Sequence, residues 1–237
     1  MAGKLYGIGA GPGDPELLTL KAINAIKNCD VIAAPTTRGG EGAALSIVAE
    51  YIGGKEMLEC RFTMEKNITG RIAARQKAAS DILRLLDLDK SVGYVTLGDP
   101  TTYSTYMYIH EIIAGKGYDA EIIPGITSYS AAAAAFGIPL CSGGETLTLI
   151  PAGYGDGIGD LPDYPGNKVI MKSGEKLIRT LEELKERGYG DHTKIACQVA
   201  MNGQRLYGCI DEFFESPQTG YFTLAIVKGK SRGEAVE

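Results

Sequence analysis

The stretch Gly7-Ile8-Gly9-Ala10-Gly11-Pro12-Gly13-Asp14 decides how the rest of the chain is read. It follows a short run with strand character, Lys4–Ile8. It leads into Asp14-Pro15-Glu16, which reads as a helix start, with Asp as cap, Pro in the first turn and Glu at the positive end. Leu17, Leu20, Ile23 and Ile26 then give a buried stripe at helical spacing. A glycine-rich strand-to-helix turn is the opening unit of an α/β sheet, and ligands of such sheets bind beyond the carboxyl ends of the strands. The dinucleotide spacing G-x-G-x-x-G is not met. Counted from Gly7 the third glycine position is Pro12, and counted from Gly9 it is Asp14. Pro12 removes a backbone donor that a pyrophosphate would use, and Asp14 puts negative charge where the phosphate would lie. The loop reads as one projecting into a ligand cleft, against the plainer reading of a tight turn.

Outward from this loop, strand and helix patterns alternate. Val31–Ala34 reads as a strand ended by Pro35, Ala43–Ile52 as a helix and Met57–Phe62 as a strand. Asn67–Leu86 is a long amphipathic helix. Val92–Leu97, Ser104–Ala114 and Ala120–Ile123 continue as strand, helix, strand. This alternation predicts a parallel sheet with helices on both faces. Pro124-Gly125 interrupts it and places a domain boundary there, giving an α/β domain over 1–123 and a second over 124–237. In the second half Ser128–Phe136 reads as a helix packed through alanines. Strands follow near Leu147–Pro151, Val169–Lys172, Ile195–Val199, Leu206–Ile210 and Phe222–Val227, with one clear helix, Glu175–Arg187. Gly153–Pro165 reads as a Gly/Asp/Pro loop.

Composition narrows the function. Of 237 residues, 44% are hydrophobic and 22% charged, as in soluble globular chains. Lys plus Arg number 24 and Asp plus Glu 29, a formal net charge of −5, which argues against a nucleic-acid partner. The 5 cysteines are scattered without a C-x-x-C, so neither a disulfide framework nor a zinc site is expected, and no metal is assigned. The longest small-apolar run, Ala131–Phe136, is far short of the roughly 20 residues that span a bilayer. Met1–Leu5 has no basic-then-apolar signal pattern. A soluble, cytoplasmic protein with no membrane partner is expected. There is no G-x-S-x-G, no G-x-x-x-x-G-K-[ST] and no H-E-x-x-H. Of the two histidines, His110 reads as packing and His192 as part of an exposed turn.

Two further segments stand where ligands would bind. Leu97-Gly98-Asp99-Pro100 follows the fourth strand; a carboxylate there suits a ligand amine or ribose hydroxyl. Read plainly, it is a turn in which Asp99 caps the following helix and Pro100 is its first residue. Thr101, Thr102, Tyr103, Ser104, Thr105, Tyr106 and Tyr108 add many hydroxyls for a helix start. Pro124-Gly125-Ile126-Thr127-Ser128 lies at the expected domain junction, where Thr127 or Ser128 reads as a helix cap or as part of a cleft.

Together, the G-x-G-P-G-D loop (Gly9–Asp14), the G-D-P after the fourth strand (Gly98–Pro100) and the P-G-I-T-S segment (Pro124–Ser128) resemble the tetrapyrrole (corrin/porphyrin) methylase family. Their order and spacing match over nearly the whole chain. Within the family, Pro100–Tyr106 looks most like the branch that methylates C20 of precorrin-2 or cobalt-factor II in cobalamin synthesis. Another ring position, or a diphthine synthase-like methyltransferase, is the neighbouring alternative. The resemblance implies two α/β domains, the N-terminal with a mostly parallel sheet and the C-terminal with a mixed sheet, and a cleft between them. It also implies a homodimer, a tetrapyrrole substrate, and S-adenosylmethionine as methyl donor with S-adenosylhomocysteine as product. Carried over residue by residue, Leu97, Gly98 and Asp99 would contact the methionine and ribose parts, with Thr102 beside them. Thr127 and Ser128 would bind the methionine carboxylate or amine region, and Met171, Ala200 and Met201 would hold the adenine. Pro12, Gly13 and Asp14 would border the substrate.

Methyl transfer from a sulfonium leaves neutral sulfur, so the leaving group needs no proton. Positioning alone supplies about 7–11 kcal/mol in well-oriented reactions, which suits a sequence with no acid–base constellation. A weak base for the later deprotonation would come from Asp99, Tyr103 or Tyr106. A polycarboxylate macrocycle needs local positive charge, for which Arg38, Arg61, Arg71 and Arg75 are candidates. A nicotinamide-dependent oxidoreductase is disfavoured by the failed glycine count, and a binding protein without turnover is the non-enzymatic alternative.

Overall fold

In the computed structural model, which describes residues 3–36, 42–62, 68–154, 158–159 and 164–229, the chain divides into two units, Met1–Thr127 and Ser128–Glu237. The first is built on β1 (Leu5–Gly9), β2 (Val31–Thr36), β3 (Glu56–Arg61), β4 (Val92–Thr96) and β5 (Ala120–Ile123). All pair parallel, in the order β3-β2-β4-β1-β5. Central strand β4 is buried at every position, as a parallel sheet covered on both faces requires. Leu5, Val31, Ala33, Cys60, Val92 and Tyr94 point to one face, against α3 (Ile68–Leu86) and α4 (Tyr106–Ala114). Ile8, Ile32, Val95 and Ile123 point to the other, against α1 (Leu20–Asn28) and α2 (Ala43–Ile47). Neighbouring strands β1 and β4 therefore feed helices on opposite faces, and their carboxyl ends open the crevice in which such sheets bind ligands.

The second unit contains α5 (Ser128–Phe136), β6 (Leu147–Pro151), β7 (Asn167–Met171), α6 (Leu177–Glu186), β8 (Thr193–Cys197), β9 (Arg205–Tyr207), α7 (Ile210–Glu215) and β10 (Thr223–Val227). Its sheet runs β6-β7-β10-β8-β9; β6 and β7 are parallel, and the other pairs antiparallel. Ala132 and Ala133 of α5 pack on Val169, Ala196, Leu224 and Ile226 of one face. Leu177, Leu181 and Leu184 of α6, with Ile210 and Phe213 of α7, pack on Ile170, Ile195, Ala225 and Val227 of the other. The parallel N-terminal and mixed C-terminal sheets are those expected.

Several local expectations are corrected. Asp14 does not cap a long helix. Its Oδ1 accepts the Glu16 N–H at 2.9 Å and closes only a 3₁₀ turn, Pro15–Leu17. The α1 helix starts later, where Thr19 Oγ1 accepts the Ala22 N–H at 3.1 Å. Leu20 consequently points outward, 80% exposed, and the buried stripe is Leu18, Ala22, Ala25 and Ile26. Pro35 does not end β2. The N–H groups of alternate residues face one neighbour, and that of Val31 faces the β4 side, where it reaches the Ser91 carbonyl. Pro35 thus lacks its donor on the β4 side, where pairing already stops at Ala33. The helix read over Ala43–Ile52 splits into α2 and a 3₁₀ turn, Ala49–Tyr51. The strand read over Leu206–Ile210 stops at Tyr207, and α7 follows, its first turn closed by Cys209 Sγ accepting the Glu212 N–H at 3.5 Å. Arg38, Asn67 and most of the Gly153–Pro165 loop lie outside the described residues. Among those described, no helix is long and apolar enough to cross a membrane.

Candidate functional site

The three motif segments meet at the carboxyl ends of β1 and β4. The Ala10 N–H donates to the Thr96 carbonyl at 2.8 Å, which carries the glycine-rich loop past the end of β4. Gly11 and Gly98 then form a reciprocal bridge, Gly98 N–H to Gly11 O at 2.7 Å and Gly11 N–H to Gly98 O at 3.2 Å. Both have positive φ, 75° and 70°. The third segment comes in at Gly125. A β-carbon on Gly125 would lie 2.2 Å from the Gly98 oxygen and 2.8 Å from Gly9 Cα. One on Gly9 would lie 2.5 Å from the Gly125 nitrogen and 2.7 Å from the Gly98 oxygen. The three backbones are thus packed against each other directly, which only glycine permits.

Asp99 ties this junction together. It is buried; its Oδ1 accepts the Thr101 N–H at 2.8 Å and the Thr101 hydroxyl, and its Oδ2 accepts the Gly125 N–H at 3.0 Å. The expectation that Asp99 caps a helix begun by Pro100 is corrected. The carboxylate spans two loops, and α4 begins only at Tyr106, with the Ser104 hydroxyl accepting the Tyr106 N–H at 3.2 Å. Ser104 Oγ also bonds Thr96 Oγ1 at 3.0 Å. Part of the hydroxyl-rich run is therefore spent on holding the turn between β4 and α4. Oδ2 of Asp99, with one donor assigned, keeps acceptor capacity. Leu97, Gly98, Thr102, Thr127 and Ser128 are all half-buried around this junction or along the chain leaving it.

The candidates for proton transfer separate. Tyr106 is fully buried, its ring 5.3 Å from that of Tyr94 and its hydroxyl 3.0 Å from His110 Nδ1. Burial pushes its phenol well above the usual range. Its ring also occupies the space beside Gly7, where a β-carbon would come within 2.0 Å of it. Tyr106 is a packing residue, and His110 packs on it as expected. Tyr103 is exposed and has a left-handed backbone, φ 52°. Of the segment expected to border the substrate, Pro12 is buried, while Gly13 and Asp14 are half-buried.

In the second unit, β7 and β8 both run antiparallel to β10, so their carboxyl ends lie at one end of the sheet. Met171 ends β7; Ala200 and Met201 follow β8, and all three are half-buried. Three non-glycine residues with positive φ, Lys172 (56°), Gln198 (49°) and Ala200 (59°), occur at this same end. Backbone held this way by L-residues concentrates at functional sites. The Ala200 N–H is taken by Gln204 Oε1 at 2.8 Å and the Met201 N–H by the Gln198 carbonyl at 3.0 Å. No residue type foreshadows these conformations, since none of the three is glycine. Nor does one foreshadow the stacking between Arg75 and Tyr108. Among the described residues, no group of three or more His, Cys, Asp or Glu could hold a metal ion.

A fully parallel sheet whose β1 and β4 loops meet Gly125 at Asp99, followed by a mixed-sheet unit, defines a two-unit α/β protein. Residues 4–212 match the tetrapyrrole (corrin/porphyrin) methylases, and the chain belongs to that family. It is 32% identical over 228 residues to a probable cobalt-precorrin-2 C(20)-methyltransferase of Methanocaldococcus jannaschii, covering 95% of this chain and 96% of the relative. It is 29% identical over 230 residues to the cobalt-precorrin-2 C(20)-methyltransferase of Salmonella typhimurium, covering 96% and 97%. The fold is also that of the uroporphyrin-III C-methyl transferase of Thermus thermophilus solved with S-adenyl homocysteine. That match has a TM-score of 0.68 and 22% identity, over 95% of this chain and 92% of the other.

Proposed function

We propose that this chain is an S-adenosylmethionine-dependent C-methyltransferase of cobalamin biosynthesis that methylates C20 of a precorrin-2-type macrocycle. The observation that carries the reading is the close backbone packing of Gly9, Gly98 and Gly125, with Asp99 Oδ2 accepting the Gly125 N–H. It occurs in a chain whose full-length relatives bear the C(20)-methyltransferase name. Precorrin-2 and cobalt-factor II are both candidate acceptors, since full-length relatives are named for the cobalt form and for precorrin-2 itself. The same reading carries a homodimer and a cytoplasmic location.

The crevice suits this methyl donor. Gly98, where a β-carbon would meet nothing within 4 Å, leaves room for the main chain to close on it. Main-chain carbonyls and Asp99 Oδ2 offer acceptors to an ammonium group and to ribose hydroxyls. Pro12 withholds an N–H that would favour a phosphate. Leu97, Gly98, Asp99, Thr102, Thr127 and Ser128 are assigned to the methionine and ribose parts; Met171, Ala200 and Met201 are assigned to the adenine. When bound, S-adenosylmethionine supplies a methyl group on a sulfonium, and its departure leaves neutral sulfur. The protein's task is then to orient and to exclude water. Asp99 performs the first by fixing the 97–105 turn against Gly125, so that both loops present rigid backbone. No buried nucleophile–base pair is needed. With Tyr106 committed to packing, Asp99 and Tyr103 are the candidates for the proton lost after attack.

Incubating the protein anaerobically with methyl-¹³C S-adenosylmethionine and cobalt-factor II tests this. A new ¹³C signal from a methyl group on the C20 meso carbon is expected. A methyl on any other carbon would move the chain to another branch of the family.

A further inference from the structure

We infer that Arg71 and Arg75 of α3, with the Tyr108 ring of α4, form an anchor for a carboxylate side chain of the tetrapyrrole. This rests on the function proposed above. Of the four cations considered for the acidic substrate, Arg38 lies outside the described residues. Arg61 is 85% exposed and paired with its neighbour Glu59 at 3.3 Å. Arg71 and Arg75 differ from both. They lie one turn apart on the same helix, i and i+4, and both are half-buried. The Arg75 guanidinium carbon sits 3.4 Å from the centroid of the Tyr108 ring.

The later cations of the same helix provide the contrast. Lys77 and Arg84 both pair with Asp81, at 2.8 Å and 3.6 Å. Arg71 and Arg75 have no carboxylate partner among the described residues, although acids outnumber bases 29 to 24 in this chain. Half-burying a guanidinium without a counter-charge is unfavourable. Stacking on an aromatic face offsets part of that and fixes the plane of the guanidinium. It leaves the planar N–H fork free at its edge, the geometry that takes a carboxylate through two parallel bonds. The position is also apt. Tyr108 lies in the first turn of α4, directly after the 97–105 turn that Asp99 holds, and α3 follows the carboxyl end of β3. The anchor therefore stands on the crevice side of this unit. A macrocycle bearing several carboxylates would be oriented by it, so the residues act on substrate placement and specificity. They do not touch the methyl donor.

The test is steady-state methylation by wild type, Arg71→Ala, Arg75→Ala, Arg75→Lys and the Arg71/Arg75 double alanine variant, with Arg84→Ala as comparator. S-adenosylmethionine affinity is measured alongside by calorimetry. Loss of a charge-assisted bidentate contact predicts about a tenfold or greater rise in KM for the macrocycle in each alanine variant, and more in the double variant. Expected alongside are kcat within about threefold, unchanged S-adenosylmethionine affinity, and an Arg84→Ala variant like wild type. Arg75→Lys keeps the charge but loses the flat stack and the fork, so it falls between. It also carries the test should Arg75→Ala fold poorly. Binding of a stable octacarboxylate porphyrin, followed by fluorescence, should weaken in parallel and lose part of its salt dependence. Wild-type turnover with an unchanged KM in the double variant would overturn the anchor and leave the proposed function standing. Absence of methyl transfer by wild type to any polycarboxylate tetrapyrrole would overturn both.

Discussion

Alanine at Gly125 would put a methyl carbon 2.2 Å from the Gly98 oxygen, 2.8 Å from Gly9 Cα and 2.9 Å from Gly9 C. Every one of these atoms is backbone, so no side-chain rotation relieves the clash; one of the three loops must move. Overpacking of this kind costs about 1–3 kcal/mol. The shift also pulls the Gly125 N–H from Asp99 Oδ2, now at 3.0 Å, and losing a bond to a buried charge costs about 1.5–3 kcal/mol. Together about 2.5–6 kcal/mol is expected, and at about 3 °C per kcal/mol the melting temperature should fall by roughly 8–18 °C. Gly53 is the control, since a β-carbon there meets nothing within 4 Å. Differential scanning calorimetry of both variants, with S-adenosylmethionine titrated into each, is the assay. Gly125→Ala should melt early and bind the methyl donor at least tenfold more weakly, while Gly53→Ala tracks wild type. If Gly125→Ala melts with the control and binds normally, the reasoning that these backbones form the site is refuted.

Other outcomes follow from the same structure. Tyr106→Phe should retain methyl transfer and lose about 0.5–1.5 kcal/mol of stability, because the hydroxyl bonds His110 at 3.0 Å and, among the described residues, nothing else; a hundredfold loss of kcat would return Tyr106 to the chemistry. Burial pushes the Cys29 and Cys60 thiols up to about 12, so both stay protonated and inert to thiol reagents at pH 8, and exposed Cys141 should label first by mass mapping. The sign for stability follows: unfolded thiols ionise from about pH 9, so stability should fall as pH rises from 9 towards 12, and a Cys29→Ala/Cys60→Ala variant should lose less over that window. Lys55→Met should destabilise by about 1–2 kcal/mol in chemical denaturation, because its ammonium donates to the carbonyls of Lys27 at 2.9 Å and Cys29 at 2.6 Å at the end of α1.

The sheet of the first unit was legible because its elements repeat a period of two or of 3.6 with apolar residues, and burial on both faces leaves long apolar runs such as Val92–Thr96. The three motif segments were legible as loops because glycine and proline punctuate them. Their mutual contact was not, since Gly9, Gly98 and Gly125 are far apart in sequence and only the fold brings their backbones together. The reach of Asp99 to Gly125 was hidden for a related reason: a local turn explains Asp-Pro equally well, and the distant donor leaves no trace nearby. Tyr106 stood in a run of hydroxyls and so counted among the weak-base candidates, yet the ring fills the space that Gly7 leaves empty. The left-handed Lys172, Gln198 and Ala200 carry no residue-type signal at all, because tertiary packing imposes those conformations on them. The short α7 was hidden because Leu206–Ile210 continues an apolar pattern across the turn at Gly208.

On the reading proposed above, this chain transfers one methyl group to a precorrin-2-type macrocycle. Mass spectrometry of anaerobic reactions with S-adenosylmethionine and either cobalt-factor II or precorrin-2 tests it most directly. A single methyl should be gained on one of the two macrocycles, with stoichiometric S-adenosylhomocysteine. S-adenosylmethionine bound in the crevice with neither macrocycle methylated would contradict it.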